Sequence, residues 1–137
     1  VGIAGVCADV AGFNPANGTP ISTWGCLANK AQEWSPVPYG TSTTSFAMRA
    51  LGKCMDVSGA GTANGTKIVL WDCAGNVAQE WRKGTNGSLV NPNSGKCLQP
   101  TGGSSAGGVQ LEISTCNGSA AQNWKTAIDF PTVVQPV

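Results

Sequence analysis

Asp9 and Asp56 are each set beside a tryptophan in a way that suits hydrogen bonding to a polyol. Asp9 follows Cys7 by two residues and Asp56 follows Cys54 by two; Trp24 precedes Cys26 by two and Trp71 precedes Cys73 by two. A carboxylate accepts two neighbouring hydroxyls as charge-assisted hydrogen bonds, and an indole accepts the apolar C–H face of a pyranose. Other chemistries lack their residues. The 137-residue chain has no histidine, which removes Ser-His-Asp and Cys-His nucleophile systems and any His-ligated metal. No C-x₂-C cluster is present, so neither a zinc site nor a cofactor is expected. A glycosidase needs two carboxylates roughly 5 to 9.5 Å apart. Asp9 and Asp56 are 47 residues apart in corresponding positions, and Asp72, which adjoins Trp71, has no evident partner. No catalytic residue is expected, and the chain reads as a non-enzyme.

The elements that position these residues come in three copies. The six cysteines are Cys7, Cys26, Cys54, Cys73, Cys97 and Cys116, and the gap within each successive pair is 19. Six cysteines allow fifteen pairings. The equal gaps select Cys7–Cys26, Cys54–Cys73 and Cys97–Cys116, one disulfide per unit. Each bridge closes a loop of roughly 20 residues and contributes on the order of 3 kcal/mol. Disulfides also imply an oxidising compartment, hence a secreted, extracellular protein. Gln-x-Trp occurs at Gln32–Trp34, Gln79–Trp81 and Gln122–Trp124, each Gln six residues after the second cysteine of its unit. The offset between units is 47, then 43. A period in the forties marks a repeat architecture. Helical repeats are excluded by composition, with 19 Gly and 8 Pro and many turn residues, and a propeller needs at least four blades. Three all-β units fit a closed threefold arrangement, each with about four short strands; in the second unit these are expected at 53–57, 67–73, 79–83 and 88–91.

Comparing a strand with its own copies assigns its faces. Ile21, Ile68 and Leu111, then Thr23, Leu70 and Ile113, form one mostly apolar phase that faces in, as do Ala8, Met55 and Leu98. Asp9, Asp56 and Gln99 face out, as do Trp24, Trp71 and Ser114. If each disulfide joins directly facing residues, Asp9 lies opposite Trp24 and Asp56 opposite Trp71. The middle residues of Gln-x-Trp (Glu33, Glu80, Asn123) face out, and the flanking Gln and Trp face in as structural residues. The three tryptophans are expected near the common axis, each Gln satisfied by backbone groups of an irregular turn. An outward tryptophan is explained either by packing beneath a loop of its own unit, such as Phe13 or residues 59–64, or by use as a sugar platform. The third unit lacks both Asp and Trp and is expected to bind poorly, unless Glu112 supplies a replacement carboxylate.

With C-x-D, W-x-C and Q-x-W in each complete unit, the chain resembles the ricin B-chain type β-trefoil lectins, and among them the family 13 carbohydrate-binding modules of secreted actinobacterial enzymes. The likeness runs from Gly2 to Trp124. It implies a β-trefoil of twelve strands, intra-unit disulfides, sugar-binding aspartates at Asp9 and Asp56, and stacking aromatics at Trp24 and Trp71. Many such lectins carry Asn immediately before Q-x-W, where this chain has Ala31, Ala78 and Ala121. Asn29 and Asn76, two residues earlier, are the candidates to replace it. Four residues before the second cysteine, where Gln is frequent in these lectins, stand Ser22, Val69 and Glu112. Galactose-, xylose- and arabinose-type sugars therefore all remain candidate ligands, as groups on plant or microbial polysaccharide.

The expected organisation is one domain over residues 1–130, with units at about 1–47, 48–90 and 91–130, and a Pro-bearing linker or tail at 131–137. An attached glycoside hydrolase is the expected covalent neighbour, and a monomer the expected state. Eight Lys+Arg against seven Asp+Glu give a net charge of +1, which leaves no electrostatic footprint for nucleic acid. No apolar run approaches the roughly 20 residues of a membrane helix. The sequons at Asn17, Asn64, Asn86 and Asn117 read as Asn-Gly turns. A structural spacer or protein-interaction trefoil with decayed sites is the competing reading.

Overall fold

The computed structural model describes residues 2–3 and 5–125. Eleven strands occur among them: β1 (Gly2–Ile3), β2 (Val6–Val10), β3 (Ile21–Gly25), β4 (Ser35–Pro38), β5 (Ser45–Ala50), β6 (Lys53–Val57), β7 (Ile68–Trp71), β8 (Trp81–Lys83), β9 (Leu89–Asn91), β10 (Lys96–Pro100) and β11 (Leu111–Ser114). All pairing is antiparallel. The turn between β5 and β6 has Leu51 and Gly52 both left-handed, at φ 54° and 76°, the geometry that joins twisted strands by two residues. The strands group as β1–β4, β5–β8 and β9–β11, so β5 and β9 straddle the joints expected at 47/48 and 90/91. The joints fall instead in the turns before those strands, where Gly40, Gly84 and Gly87 lie. The end of the third unit, Phe130 and the tail at 131–137 lie outside the described residues.

The hairpins β2–β3, β6–β7 and β10–β11 close on one another in a ring. The bridges Pro20–Val69, Ser22–Gln110 and Lys67–Glu112 join them pairwise. At each joint two backbone bonds are exchanged. Gly18 N donates to Leu70 O (2.7 Å) and Leu70 N to Thr19 O (2.8 Å); Gly65 N donates to Ile113 O (2.9 Å) and Ile113 N to Thr66 O (3.0 Å); Gly108 N donates to Thr23 O (2.6 Å) and Thr23 N to Val109 O (2.8 Å). Ring closure leaves no free edge among these hairpins. The architecture is an all-β β-trefoil with one disulfide per repeat: Cys7–Cys26, Cys54–Cys73 and Cys97–Cys116, each with Cα atoms 5.1 Å apart.

The inward phase is as the repeat comparison requires. Ala8, Met55, Leu98, Ile21, Ile68, Leu111, Thr23, Leu70 and Ile113 are all fully buried. Trp34, Trp81 and Trp124 belong to the same core, and their Nε1 groups donate to the carbonyls of Ala8 (3.0 Å), Met55 (3.2 Å) and Leu98 (2.9 Å). Thr23 stands where the other units have Leu and Ile. Its hydroxyl donates to Ala106 O (2.7 Å), which satisfies the one polar group in this layer of the core.

The register differs from that expected. Cys7 pairs with Trp24 and Asp9 with Ser22; Cys54 pairs with Trp71 and Asp56 with Val69; Cys97 pairs with Ser114 and Gln99 with Glu112. Each second cysteine lies beyond its strand, so the bridge runs diagonally rather than straight across the ladder. The strand forecast for 79–83 also shortens to Trp81–Lys83, because Val77–Gln79 forms a 3-10 turn, as do Lys30–Gln32 and Ala120–Gln122.

Candidate functional site

These 3-10 turns carry the glutamine of each Gln-x-Trp inward, and the three glutamines make the same bonds. Gln32 Oε1 accepts from Leu27 N (2.7 Å), and its Nε2 donates to Gly25 O (2.9 Å) and to Asp9 Oδ2 (2.8 Å). Gln79 Oε1 accepts from Ala74 N (2.8 Å), and its Nε2 donates to Asp72 O (2.8 Å) and Asp56 Oδ2 (2.9 Å). Gln122 repeats the pattern with Asn117 N (2.9 Å), Thr115 O (3.0 Å) and Gln99 Oε1 (2.9 Å). The backbone bonds were expected; the bond to the aspartate was not. Each glutamine thus spans the second cysteine of its unit; Gln32 and Gln79 fix one oxygen of an aspartate carboxylate, and Gln122 fixes the Gln99 amide oxygen. Oδ1 of Asp9 and of Asp56 has no protein hydrogen-bond partner among the described residues.

The glutamine also covers what the alternation had placed outside. Asp56 is only 7% exposed, and Gln99 and Glu112 are equally covered, whereas Asp9 is partly exposed. Burial pushes the Asp56 carboxyl above its ordinary value, a shift partly opposed by the bond from Gln79. Trp24 and Trp71 do lie on the surface, 53% and 45% exposed.

Despite the changed register, aspartate and tryptophan meet in one concavity in each of the first two units. Asp9, Trp24 and Asn29 line a hollow of about 350 Å³, with Gly12, Phe13 and Ala31. Asp56, Trp71 and Asn76 line one of about 530 Å³, with Gly59, Ala60 and Gly18. Carboxylate and indole lie on neighbouring strands two pairs apart, so they flank the hollow instead of facing across the ladder. Asn76 Oδ1 caps its 3-10 turn by accepting from Ala78 N (3.1 Å), whereas Asn29 Oδ1 is buried with no partner.

Each indole rests against a turn of another unit, which nothing local to Trp24 or Trp71 signals. A Cβ built on Gly108 would lie 3.5 Å from Trp24 Cζ3, and one on Gly18 would lie 3.8 Å from Trp71 Cζ3; both glycines are left-handed, at φ 77° and 88°. The joint of Gly18 with Leu70, behind Trp71, is also clasped by side chains. Asn17 Nδ2 donates to Asp72 Oδ2 (2.9 Å) and Asn17 Oδ1 accepts from Asp72 N (2.9 Å).

The third unit is arranged differently. Gln99 Nε2 donates to Glu112 Oε2 (2.9 Å), Gly102 N donates to the same oxygen (3.2 Å), and Lys67 Nζ lies 3.5 Å from Glu112 Oε1. Glu112 is therefore no spare carboxylate: both of its oxygens are engaged by protein. Among the described residues no group of three His, Cys, Asp or Glu side chains could hold a metal ion, and no helix is long and apolar enough to cross a membrane.

Residues 2–124 match the profile of the ricin-type beta-trefoil lectin domain. Among solved structures the chain is similar to a designed 3-fold symmetric protein, ThreeFoil, with a TM-score of 0.81 at 24% identity over 87% of this chain and 88% of that one. It is similar to the agglutinin from Abrus precatorius, with a TM-score of 0.75 at 30% identity over 90% of this chain and 45% of that one. It is also similar to an exo-β-1,3-galactanase from Clostridium thermocellum, with a TM-score of 0.77 at 20% identity over 85% of this chain and 26% of that one. The chain thus spans most of the designed protein, under half of the agglutinin chain and about a quarter of the galactanase. No curated protein matches it.

Proposed function

The chain belongs to the ricin-type β-trefoil lectin domain family, and from that premise we propose that it is a secreted, non-catalytic carbohydrate-binding module of the family 13 kind. It binds galactose-, xylose- or arabinose-type groups of polysaccharide at two sites and brings an attached glycoside hydrolase to its substrate. The first site is Asp9, Trp24 and Asn29 with Gln32 as the residue that positions Asp9. The second is Asp56, Trp71 and Asn76 with Gln79.

One observation carries the reading. In two units, a carboxylate with one oxygen fixed by glutamine and the other free shares a shallow hollow with an exposed indole. The free oxygen suits ring hydroxyls, and the indole suits the C–H face. Attachment to an enzyme is supported by the galactanase, of which a domain like this forms about a quarter. Secretion is supported by the three disulfides.

The test is tryptophan fluorescence titration with galactose, lactose, xylose, arabinose and their polymers, using wild type, Trp24→Ala, Trp71→Ala and the double variant. The expected outcome is saturable binding with Kd of roughly 10 µM to 1 mM per site, lost only in the double variant. Polymer affinity should fall in either single variant by more than the factor of two that losing one of two independent sites gives, because avidity goes with it. A folded wild type that responds to no glycan overturns the proposal and leaves the spacer or protein-interaction trefoil. Reducing-sugar release by the isolated domain would overturn its non-catalytic part.

A further inference from the structure

Phe13 is an aromatic residue for which the fold gives no reason. It lies in the 3-10 turn Ala11–Phe13 with φ 59°, is 48% exposed, and is not part of the core. The corresponding residues are Ala60 (φ 53°) and Gly103 (φ 72°), so the left-handed backbone belongs to the motif. That conformation suits glycine and strains a bulky side chain. Strain kept at an exposed aromatic points to use by a ligand.

Phe13 walls two hollows at once. One is the concavity of Asp9 and Trp24; the other is a neighbouring cleft of about 430 Å³, lined also by Lys30, Glu33, Arg49 and Leu51. The 3-10 turn Lys30–Gln32 runs between them, with Asn29 and Ala31 lining the first hollow and Lys30 lining the second. Lys30 pairs with Glu33 at 3.5 Å, both well exposed. Arg49 projects from β5, and its guanidinium has no hydrogen bond or ion pair to any described residue. Two cations against one carboxylate leave the cleft with a net positive charge. The second unit has no such extension: Ala60 stands in the place of Phe13 and Val77 in that of Lys30.

We infer that the first sugar site continues past Phe13 into a second subsite, where Arg49 and Lys30 receive the carboxylate of an acidic sugar residue. The ligand class of this unit is an oligosaccharide with a neutral residue on Trp24 and a uronate or other carboxylated sugar beyond it. The phenyl ring covers the C–H face of the residue between, and the Arg49 fork takes the carboxylate in two parallel bonds. This inference rests on the sugar-binding reading of the Asp9–Trp24 hollow and deepens it.

The test uses the full chain carrying Trp71→Ala, so that the first unit is read alone. Calorimetric titration compares two neutral–acidic pairs: lactose with sialyllactose, and xylotriose with glucuronosyl-xylotriose. At low salt the acidic member of at least one pair binds about fivefold to tenfold more tightly, and the advantage shrinks as salt is raised. Arg49→Ala brings the acidic ligand down to the affinity of its neutral partner. Phe13→Gly weakens both members of that pair while the protein melts no lower than its parent, since glycine relieves the left-handed strain. Equal affinity within both pairs, or an acidic advantage that survives Arg49→Ala, overturns the subsite while neutral binding keeps the sugar site standing. Failure of every sugar to bind overturns the parent reading and the subsite together.

Discussion

Asp56 sits in the hollow with its charge nearly covered, and this sets stability against use. Burial raises its pKa, more strongly than the bond from Gln79 lowers it. A carboxyl whose pKa is raised by folding favours the folded state while it is protonated. That contribution is complete below the ordinary value of 3.8 and is lost as pH rises through the folded pKa. At pH 7 the ionised group therefore weakens the fold, while in the proposed site its free oxygen would accept a sugar hydroxyl. Asp56→Asn keeps an acceptor for Gln79 Nε2 and removes the charge. It should melt at or above wild type at pH 7, lose that advantage near pH 3, and bind sugar more weakly at the second site. A lower melting temperature at pH 7 would mean that the charge stabilises this place. In Trp24→Ala, where the second site acts alone, sugar affinity should fall as pH drops through the raised pKa of Asp56.

The element that decides the geometry is the 3-10 turn that ends at the glutamine of Gln-x-Trp. Its glutamine spans the second cysteine, and the tryptophan two residues on seals the core. Gln79→Ala would leave Ala74 N and Asp72 O without their partner and Asp56 without its only side-chain donor among the described residues. It should lower unfolding free energy by about 2 to 3 kcal/mol, read as a shift of the denaturant midpoint at constant slope, and weaken sugar binding at the second site as Asp56 loses its fixed orientation. The strands, their faces and the disulfides were legible because the chain is written three times: what is apolar in three copies, as at Ile21, Ile68 and Leu111, faces in. The exposure of Trp24 and Trp71 was legible from the strand alternation, whereas the cover over Asp56 was not. The register was not, because a disulfide constrains distance and not direction, and a diagonal bridge satisfies it as well as a straight one. Gln32 and Gln79 read as structural because an amide bonds backbone and carboxylate alike. The glycines behind Trp24 and Trp71 lie in other units, which the local pattern around each tryptophan does not reach.

Across the whole molecule, threefold closure sets a turn of one unit behind the outer face of the next, at Gly108 behind Trp24, Gly18 behind Trp71 and Gly65 beside Glu112, and the third joint repeats the backbone of the others with different side chains. Gly65 occupies the joint beside Glu112 as Gly18 does beside Trp71, with the same backbone exchange. The Gln122 clamp is in place and holds Gln99 instead of an aspartate. Glu112 fills the gap and takes the bonds of Gln99, Gly102 and Lys67. The unit should therefore open when these residues are exchanged for those of the second: Gln99→Asp restores a clamped carboxylate, Ser114→Trp restores the platform over Gly65, and Glu112→Val empties the hollow. Placed in a Trp24→Ala/Trp71→Ala background, where the other two platforms are gone, the three exchanges should return saturable binding of the sugar that wild type binds, with an affinity like that of one wild-type site. Gln99→Asp and Ser114→Trp without Glu112→Val should return little, because the glutamate still closes the hollow. A folded five-residue variant that binds nothing would show that the sites need more than the clamp, the platform and an open floor, and that the equivalence of the three joints ends at the backbone.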